Sequence, residues 1–226
     1  MTQVRASRIL LIGAGGLGGP AALGLLSLPG RMHLTLLDDD VVDVSNLSRQ
    51  MFYFESCVGR PKAQVLAAAL EARRPGITVE ARVERFDAAN AAALVRTHDL
   101  VVDGSDLFET RFLANDACVR SRRPLVHGAA LGWRGQVMLV EPGRTPCLRC
   151  VFEAPPVDAP TCADAGVAAP LVGVVGGWMA EAARVVLAGG DDRWRGAMRT
   201  LDAVRGRERF VPLGRDPACA ACAALG

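Results

Sequence analysis

Apolar residues in this chain gather into short runs, separated by polar stretches with helical spacing. The first run, ILLI at residues 9–12, is closed by glycine and reads as a parallel strand buried on both faces. HLTLLD at 33–38, ITVEARV at 77–83 and HDLVVDGSD at 98–106 read as three more strands. A helix is expected from the first glycine turn to about Leu28, stopped by Pro29-Gly30. Gly59-Arg60-Pro61-Lys62 opens another that continues through Leu70, with Pro61 at its first helical position. Shorter helical patterns cover 88–95 and 109–121. PLVHGAALGWRGQVMLVEP, at 124–142, predicts two further strands.

Beyond these strands, prolines break all periodicity over 147–170, which reads as a long crossing loop. Residues 171–188 are small and apolar and predict a helix packed on the sheet, and RGAMRTLDAV and RERFVPLG predict a final pair of strands. The alternation of strands and helices predicts an α/β, Rossmann-like, doubly wound and mostly parallel sheet with an antiparallel C-terminal extension. No repeat or linker divides residues 1–226, so a single domain is expected, with a nucleotide-binding half over about 1–140 and the remainder over 141–226.

Composition narrows the class. The chain has 226 residues, half of them hydrophobic, and a net charge of +2, a balance that gives no reason to expect a nucleic-acid or membrane surface. Its start, MTQVRASRILL, does not have the form of a signal peptide. The apolar stretch 167–187 is interrupted by Glu181 and Arg184 and suits a buried helix better than a membrane span. A cytoplasmic protein is the expectation.

The candidate chemistry begins at GAGGLG. Gly13, Gly15 and Gly18 have the G-x-G-x-x-G spacing of a strand-to-helix turn that receives phosphate on main-chain amides, with Gly16 in the same loop. Asp38 ends the second strand, where a carboxylate accepts from ribose hydroxyls. The polar segment after it carries Asn46 and Arg49, a donor and a cation suited to phosphates; by position alone Arg49 fits a solvated surface equally. Among 26 basic residues the chain has a single lysine, Lys62, in the first turn of a helix. A cation is unfavourable there unless an anion faces it. Asp103 and Asp106 close the fourth strand, as ligands for a hydrated Mg²⁺, as a cap for the next helix, or one in each role, with Asp106 taken as the metal side.

Four of the seven cysteines form two C-x-x-C pairs, Cys147 with Cys150 and Cys219 with Cys222. This spacing is that of a closed, structural four-cysteine Zn²⁺ clip, which would pin the crossing loop to the C-terminus. Cys57 and Cys118 read as small buried residues, and Cys162 lies in the crossing loop.

Taken in order, GAGGLG, LLDDDVVDVSNLSRQ, GRPKA, DLVVDGSD, GAALGWRGQV, PCLRC, TCADAGVAAPLVGVVG and CAAC span Arg8 to Cys222. The set resembles the ThiF/MoeB/HesA family of ubiquitin-activating-like adenylyltransferases. The resemblance implies that the glycine loop and Asp38 hold ATP, that Asn46, Arg49 and Lys62 bind its triphosphate, and that Asp106 positions Mg²⁺. It implies a homodimer, and as substrate a small ubiquitin-like sulfur carrier ending in Gly-Gly, whose terminal carboxylate would attack the α-phosphorus in thiamine, molybdopterin or related biosynthesis. Cys162 matches a position that takes part in sulfur transfer in some members and is dispensable in others. Two departures stand out: seven residues precede Arg8, leaving Arg5 as sole candidate for the arginine that reaches a partner's ATP, and Leu107 stands where asparagine is frequent. A catalytically degenerate binding module of the same fold is the alternative, and an NAD-dependent oxidoreductase a third reading that leaves Lys62 and the cysteines unexplained.

Overall fold

The computed structural model describes residues 6–152 and 166–225. Among the described residues eight strands form one sheet: β1 (Ser7–Ile12), β2 (Met32–Leu37), β3 (Thr78–Arg82), β4 (Leu100–Asp103), β5 (Leu125–Leu131), β6 (Arg134–Val140), β7 (Ala197–Asp202) and β8 (Arg207–Pro212). Their order is β3-β2-β1-β4-β5-β6-β7-β8. The pairs from β3 through β5 are parallel and those from β5 through β8 antiparallel, which is the predicted sheet with its predicted extension. The strand order reverses between β1 and β4, and ligands of such sheets bind at the carboxyl ends of the strands beside that reversal.

β1 is apolar throughout because both of its faces are covered. Ile9 and Leu11 enter a core with α1 (Gly18–Leu25), α2 (Lys62–Arg73) and α6 (Ala169–Ala188). Leu10 and Ile12 enter the opposite core with α3 (Ala91–Arg96), α4 (Phe108–Ser121) and the cysteine-bearing segment.

α6 is the one described helix long and apolar enough to cross a membrane, and it packs on α1, β5 and β6. Glycines let it approach closely. A Cβ at Gly128 of β5 would lie 2.3 Å from the Met179 sulfur, and one at Gly135 of β6 2.3 Å from Val175 Cγ2. At Gly176 the added carbon would meet Pro20 Cβ at 2.6 Å and, less yieldingly, Ala21 N at 2.8 Å and Leu17 O at 2.9 Å.

Several boundaries differ from expectation. α1 ends at Leu25, one turn early, because the chain tightens through overlapping bonds from Leu26 to Ala22 and Leu23. Pro61 caps α2 with non-helical backbone and so stands just outside the helix, leaving Lys62 as its first residue. The crossing loop is not wholly irregular: Leu148–Val151 form a single helical turn, α5, and α6 begins at Ala169 with Pro170 in its first turn. The helix after β4 is capped by Leu107 without a side-chain bond, so neither Asp103 nor Asp106 serves as its cap.

Gly176→Ala should destabilise the fold by about 1–3 kcal/mol, since two of the clashing atoms are main chain. Gly173 and Gly177 on the same helix have nothing among the described residues within 4 Å of an added Cβ, so alanine there should be neutral or stabilising by up to about 1 kcal/mol. Urea denaturation of the three variants checks the contrast.

Candidate functional site

The turn between β1 and α1 is the floor of the site. Gly13 has φ +87°, and a Cβ at Gly18 would lie 1.8 Å from the Gly13 carbonyl oxygen. Gly18 is therefore a packing glycine that lets the first turn of α1 fold back on β1. Gly13, Gly15 and Gly16 line a cavity of about 390 Å³ above it, and Gly18 lies beneath.

Asp38, Asn46, Arg49, Lys62 and Asp106 line the same cavity. Asp38 accepts from Ala14 N at 2.6 Å and from Asp40 N at 2.9 Å, tying the end of β2 to the glycine turn. Burial holds its carboxyl above the usual range despite these amides. Lys62 is buried; its main-chain N–H donates to Asp40 O at 3.0 Å and its Nζ to Asp40 Oδ2 at 2.6 Å. The anion facing this lysine is thus the exposed Asp40 carboxylate, which stands at the cavity wall. Arg49 is held through Ser45 O at 3.0 Å and Asn46 Oδ1 at 3.2 Å, so it is an ordered cavity cation and not a free surface side chain. Asp106 is exposed and makes no hydrogen bond or ion pair among the described residues. Asp103, its sequence companion, is fully buried and turns elsewhere.

Several residues in or behind the cavity wall carry weak sequence signals or none. Gln50, beside Arg49, donates Nε2 to Asn46 Oδ1 at 2.9 Å while its buried Oε1 has no partner among the described residues. Arg111 is buried between two cavities, with Nε donating to Ser105 O at 3.1 Å. Tyr53 donates its hydroxyl to Ala14 O at 2.6 Å, with Lys62 O at 3.2 Å, and burial pushes its pKa upward. It joins the glycine turn to the start of α2, a contact across 39 positions that no local pattern announces.

The cavity opens onto a groove of about 1070 Å³, with Asp106, Leu107, Arg111 and Ala130 shared between the two. Phe108, Phe112 and Phe152 give the groove an apolar side, and Arg134, Arg205, Arg207 and Arg209 a basic one.

The chain matches the family model described as "ThiF family" over residues 1–221. The chain belongs to the ThiF family. Three relatives of this ThiF-family chain show where it stands. It is 40% identical over 222 residues to the SAMP-activating enzyme E1 of Haloferax volcanii, covering 97% of this chain and 82% of that protein. It is 39% identical to the sulfur carrier protein adenylyltransferase of Thermus thermophilus, covering 97% and 83%. With the adenylyltransferase and sulfurtransferase MOCS3 of Sus scrofa it is 40% identical over 97% of its length, but it spans only 49% of that protein. Solved structures of E. coli MccB share the fold: the complex with MccA-N7isoASN superposes with a TM-score of 0.84 and the complex with ATP with 0.80, each at 20% identity over 96% of this chain and 66% of that one.

The second candidate centre is the cysteine cluster. Cys147, Cys150, Cys219 and Cys222 bring their sulfurs within 4.8 Å of one another. Individual separations are 3.7 Å (Cys147–Cys219), 3.9 Å (Cys150–Cys147) and 3.4 Å (Cys150–Cys222). Four thiolates about 2.3 Å from a tetrahedral ion stand about 3.8 Å apart, so this set fits one metal ion. Burial pushes the Cys147 thiol up; a cation among the four would reverse that by favouring thiolates. The cluster is docked on α4, where buried Asn115 accepts from Leu148 N at 2.8 Å and Asp116 pairs with Arg149. Cys57 and Cys118 are buried and free, as expected. Cys162 and Arg5 lie outside the described residues.

Tyr53→Phe should cost about 1–2 kcal/mol, because it leaves the buried Ala14 carbonyl without its donor. Urea denaturation measures the loss, and a wild-type midpoint would show that the contact contributes nothing.

Proposed function

We propose that this chain is an ATP-dependent adenylyltransferase that activates the C-terminal glycine of a small ubiquitin-like sulfur carrier ending in Gly-Gly. The observation that carries this reading is the junction of a compact cavity, walled by the glycine loop, Arg49 and Lys62, with a long open groove at Asp106, Leu107, Arg111 and Ala130. One end of that arrangement suits a nucleotide and the other an extended polypeptide. The names of the Haloferax and Thermus relatives point the same way.

In this reading Gly13, Gly15 and Gly16 take the phosphates, Asp38 the ribose, and Asn46, Arg49 and Lys62 the triphosphate. Lys62 exchanges Asp40 for phosphate oxygens when ATP binds. Asp106 would hold Mg²⁺, which when bound would supply further charge neutralisation to the phosphates. The carrier carboxylate is already a nucleophile at neutral pH, so the residues align it with the α-phosphorus and neutralise the charge displaced onto pyrophosphate. The product is an acyl-adenylate. Cys162 is carried as a candidate for later sulfur transfer, alongside its reading as a dispensable loop thiol.

Zn²⁺ is the ion proposed for the four cysteines, as a closed structural site; it tethers positions 72 residues apart and takes no part in the chemistry. A homodimer is also proposed, supported by the exposed apolar side chains of Val44, Met51 and Phe54, which flank in sequence the cavity residues Asn46, Arg49 and Gln50. The setting is a cytoplasmic sulfur-transfer pathway such as thiamine or molybdopterin biosynthesis.

ATP–pyrophosphate exchange with Mg²⁺ and a panel of Gly-Gly-ending carriers tests the activity. Exchange should appear with one carrier and fall at least about a hundredfold in Lys62→Ala, with the fold intact. ATP binding without exchange across the panel would instead mark a binding module. Elemental analysis should find about one zinc per chain, and Cys222→Ser or chelation should lower the melting temperature. A folded, metal-free protein would overturn the zinc assignment.

A further inference from the structure

His127 lies on β5, one strand over from Asp103 and directly paired with it in the sheet. Its Nδ1 is 2.8 Å from Asp103 Oδ2, and both side chains are almost wholly buried. Asp103 also accepts from Ser105 N at 3.0 Å and from Ser105 Oγ at 2.6 Å. Burial alone would raise this carboxyl, but the His127 and Ser105 hydrogen bonds bring it below the usual range, so it is ionised and acts only as an acceptor. The proton of a neutral His127 is therefore fixed on Nδ1, and Nε2 carries the lone pair.

No residue among those described bonds to Nε2, although the side chain is only 4% exposed. His127 is a wall residue of the groove, and the ring edge not committed to Asp103 is the one bearing Nε2. Asp103 is also joined through Gly104 and Ser105 to Asp106, at the mouth between groove and nucleotide cavity. With one proton on the ring, Nε2 is thus an oriented acceptor on a wall residue of the groove, which meets the nucleotide cavity at Asp106, Leu107, Arg111 and Ala130.

We propose that His127 is a substrate-positioning residue whose Nε2 accepts the N–H of the last peptide bond of an extended, glycine-ended polypeptide tail lying in the groove, with Asp103 as the group that orients it. This rests on the adenylyltransferase reading and adds to it a specificity contact. A glycine tail offers no side chain to grip, so its main-chain N–H groups are what a wall residue recognises. No bond is made or broken at the imidazole; the contact fixes the direction in which the terminal carboxylate leaves the groove.

Asparagine places an amide where Nδ1 stands, so His127→Asn keeps a donor to Asp103 and loses the acceptor on the groove. In ATP–pyrophosphate exchange it should raise the carrier KM about five- to tenfold, the range of one neutral hydrogen bond, with the KM for ATP and the melting temperature at wild-type values. A carrier whose terminal glycine is N-methylated should lose the same factor with wild-type enzyme and nothing more with His127→Asn. On the unaltered protein, the ¹⁵N resonance of the imidazole Nε2 should shift when the Gly-Gly-ending carrier saturates it, and should not shift with a carrier lacking its last two residues. An unchanged carrier KM, additive effects of the two changes, or a still resonance each overturn the assignment of His127 while leaving the adenylation reading standing. Failure of the wild type to exchange with any carrier overturns both.

Discussion

The structure depends on one close approach, the seating of the Gly13 carbonyl against the Cα of Gly18. With no side chain at either position, β1 turns directly into α1 and the turn is left open to the cavity above. The next layer is built on the same turn. Gly104, after β4, gives its N–H to Ile12 O at 2.9 Å and packs against Gly13 and Gly18. α6 then presses Gly176 on Leu17 and Pro20 and sets Val172 against Gly16. A helix more than 150 positions away in sequence thereby supports the floor of the site.

Apart from Asp106, the charged residues singled out around that floor already have partners. Lys62 leans on Asp40, Arg49 on Ser45 and Asn46, and Asp38 on two amides. A cation held by an exposed carboxylate can exchange it for a more highly charged anion without first being desolvated, since Lys62 is buried in either state. The acidic trio Asp38-Asp39-Asp40 could geometrically gather a cation, yet two of its carboxylates are committed to the lysine and to main-chain amides.

The opposite half of the sheet has a different task. The antiparallel strands from β5 to β8 carry the cysteine cluster over one end of their exposed face and leave the other end as the groove. Met138 and Met198, buried under the cysteine lobe, lie on the same strands as groove residues Gln136 and Thr200. The four-cysteine joint therefore sets how far the groove extends, although it stands apart from the nucleotide cavity.

Sequence alone determined the strands, the glycine turn, the partnership of the two cysteine pairs and part of the cavity wall (Gly13, Gly15, Gly16, Asp38, Asn46, Arg49, Lys62 and Asp106), because each is written in local periodicity or short spacing. Apolar runs of four to six residues identify strands buried on both faces, and C-x-x-C places two ligands on one turn. Helix ends such as Leu25 and Ala169, and the place of Pro61 just outside α2, were legible only to within a few residues, since capping there is made by main chain without a side-chain signature. The tertiary structure decided what depends on distant partners. It gave Lys62 its carboxylate across 22 positions and Tyr53 its carbonyl across 39, and turned Asp103 inward to His127 across 24. Asp103 and Asp106 look alike in sequence, three residues apart at the end of one strand. Strand pleating and the turn after β4 bury one and expose the other, and only that difference separates a carboxylate that orients an imidazole from one left open at the cavity mouth.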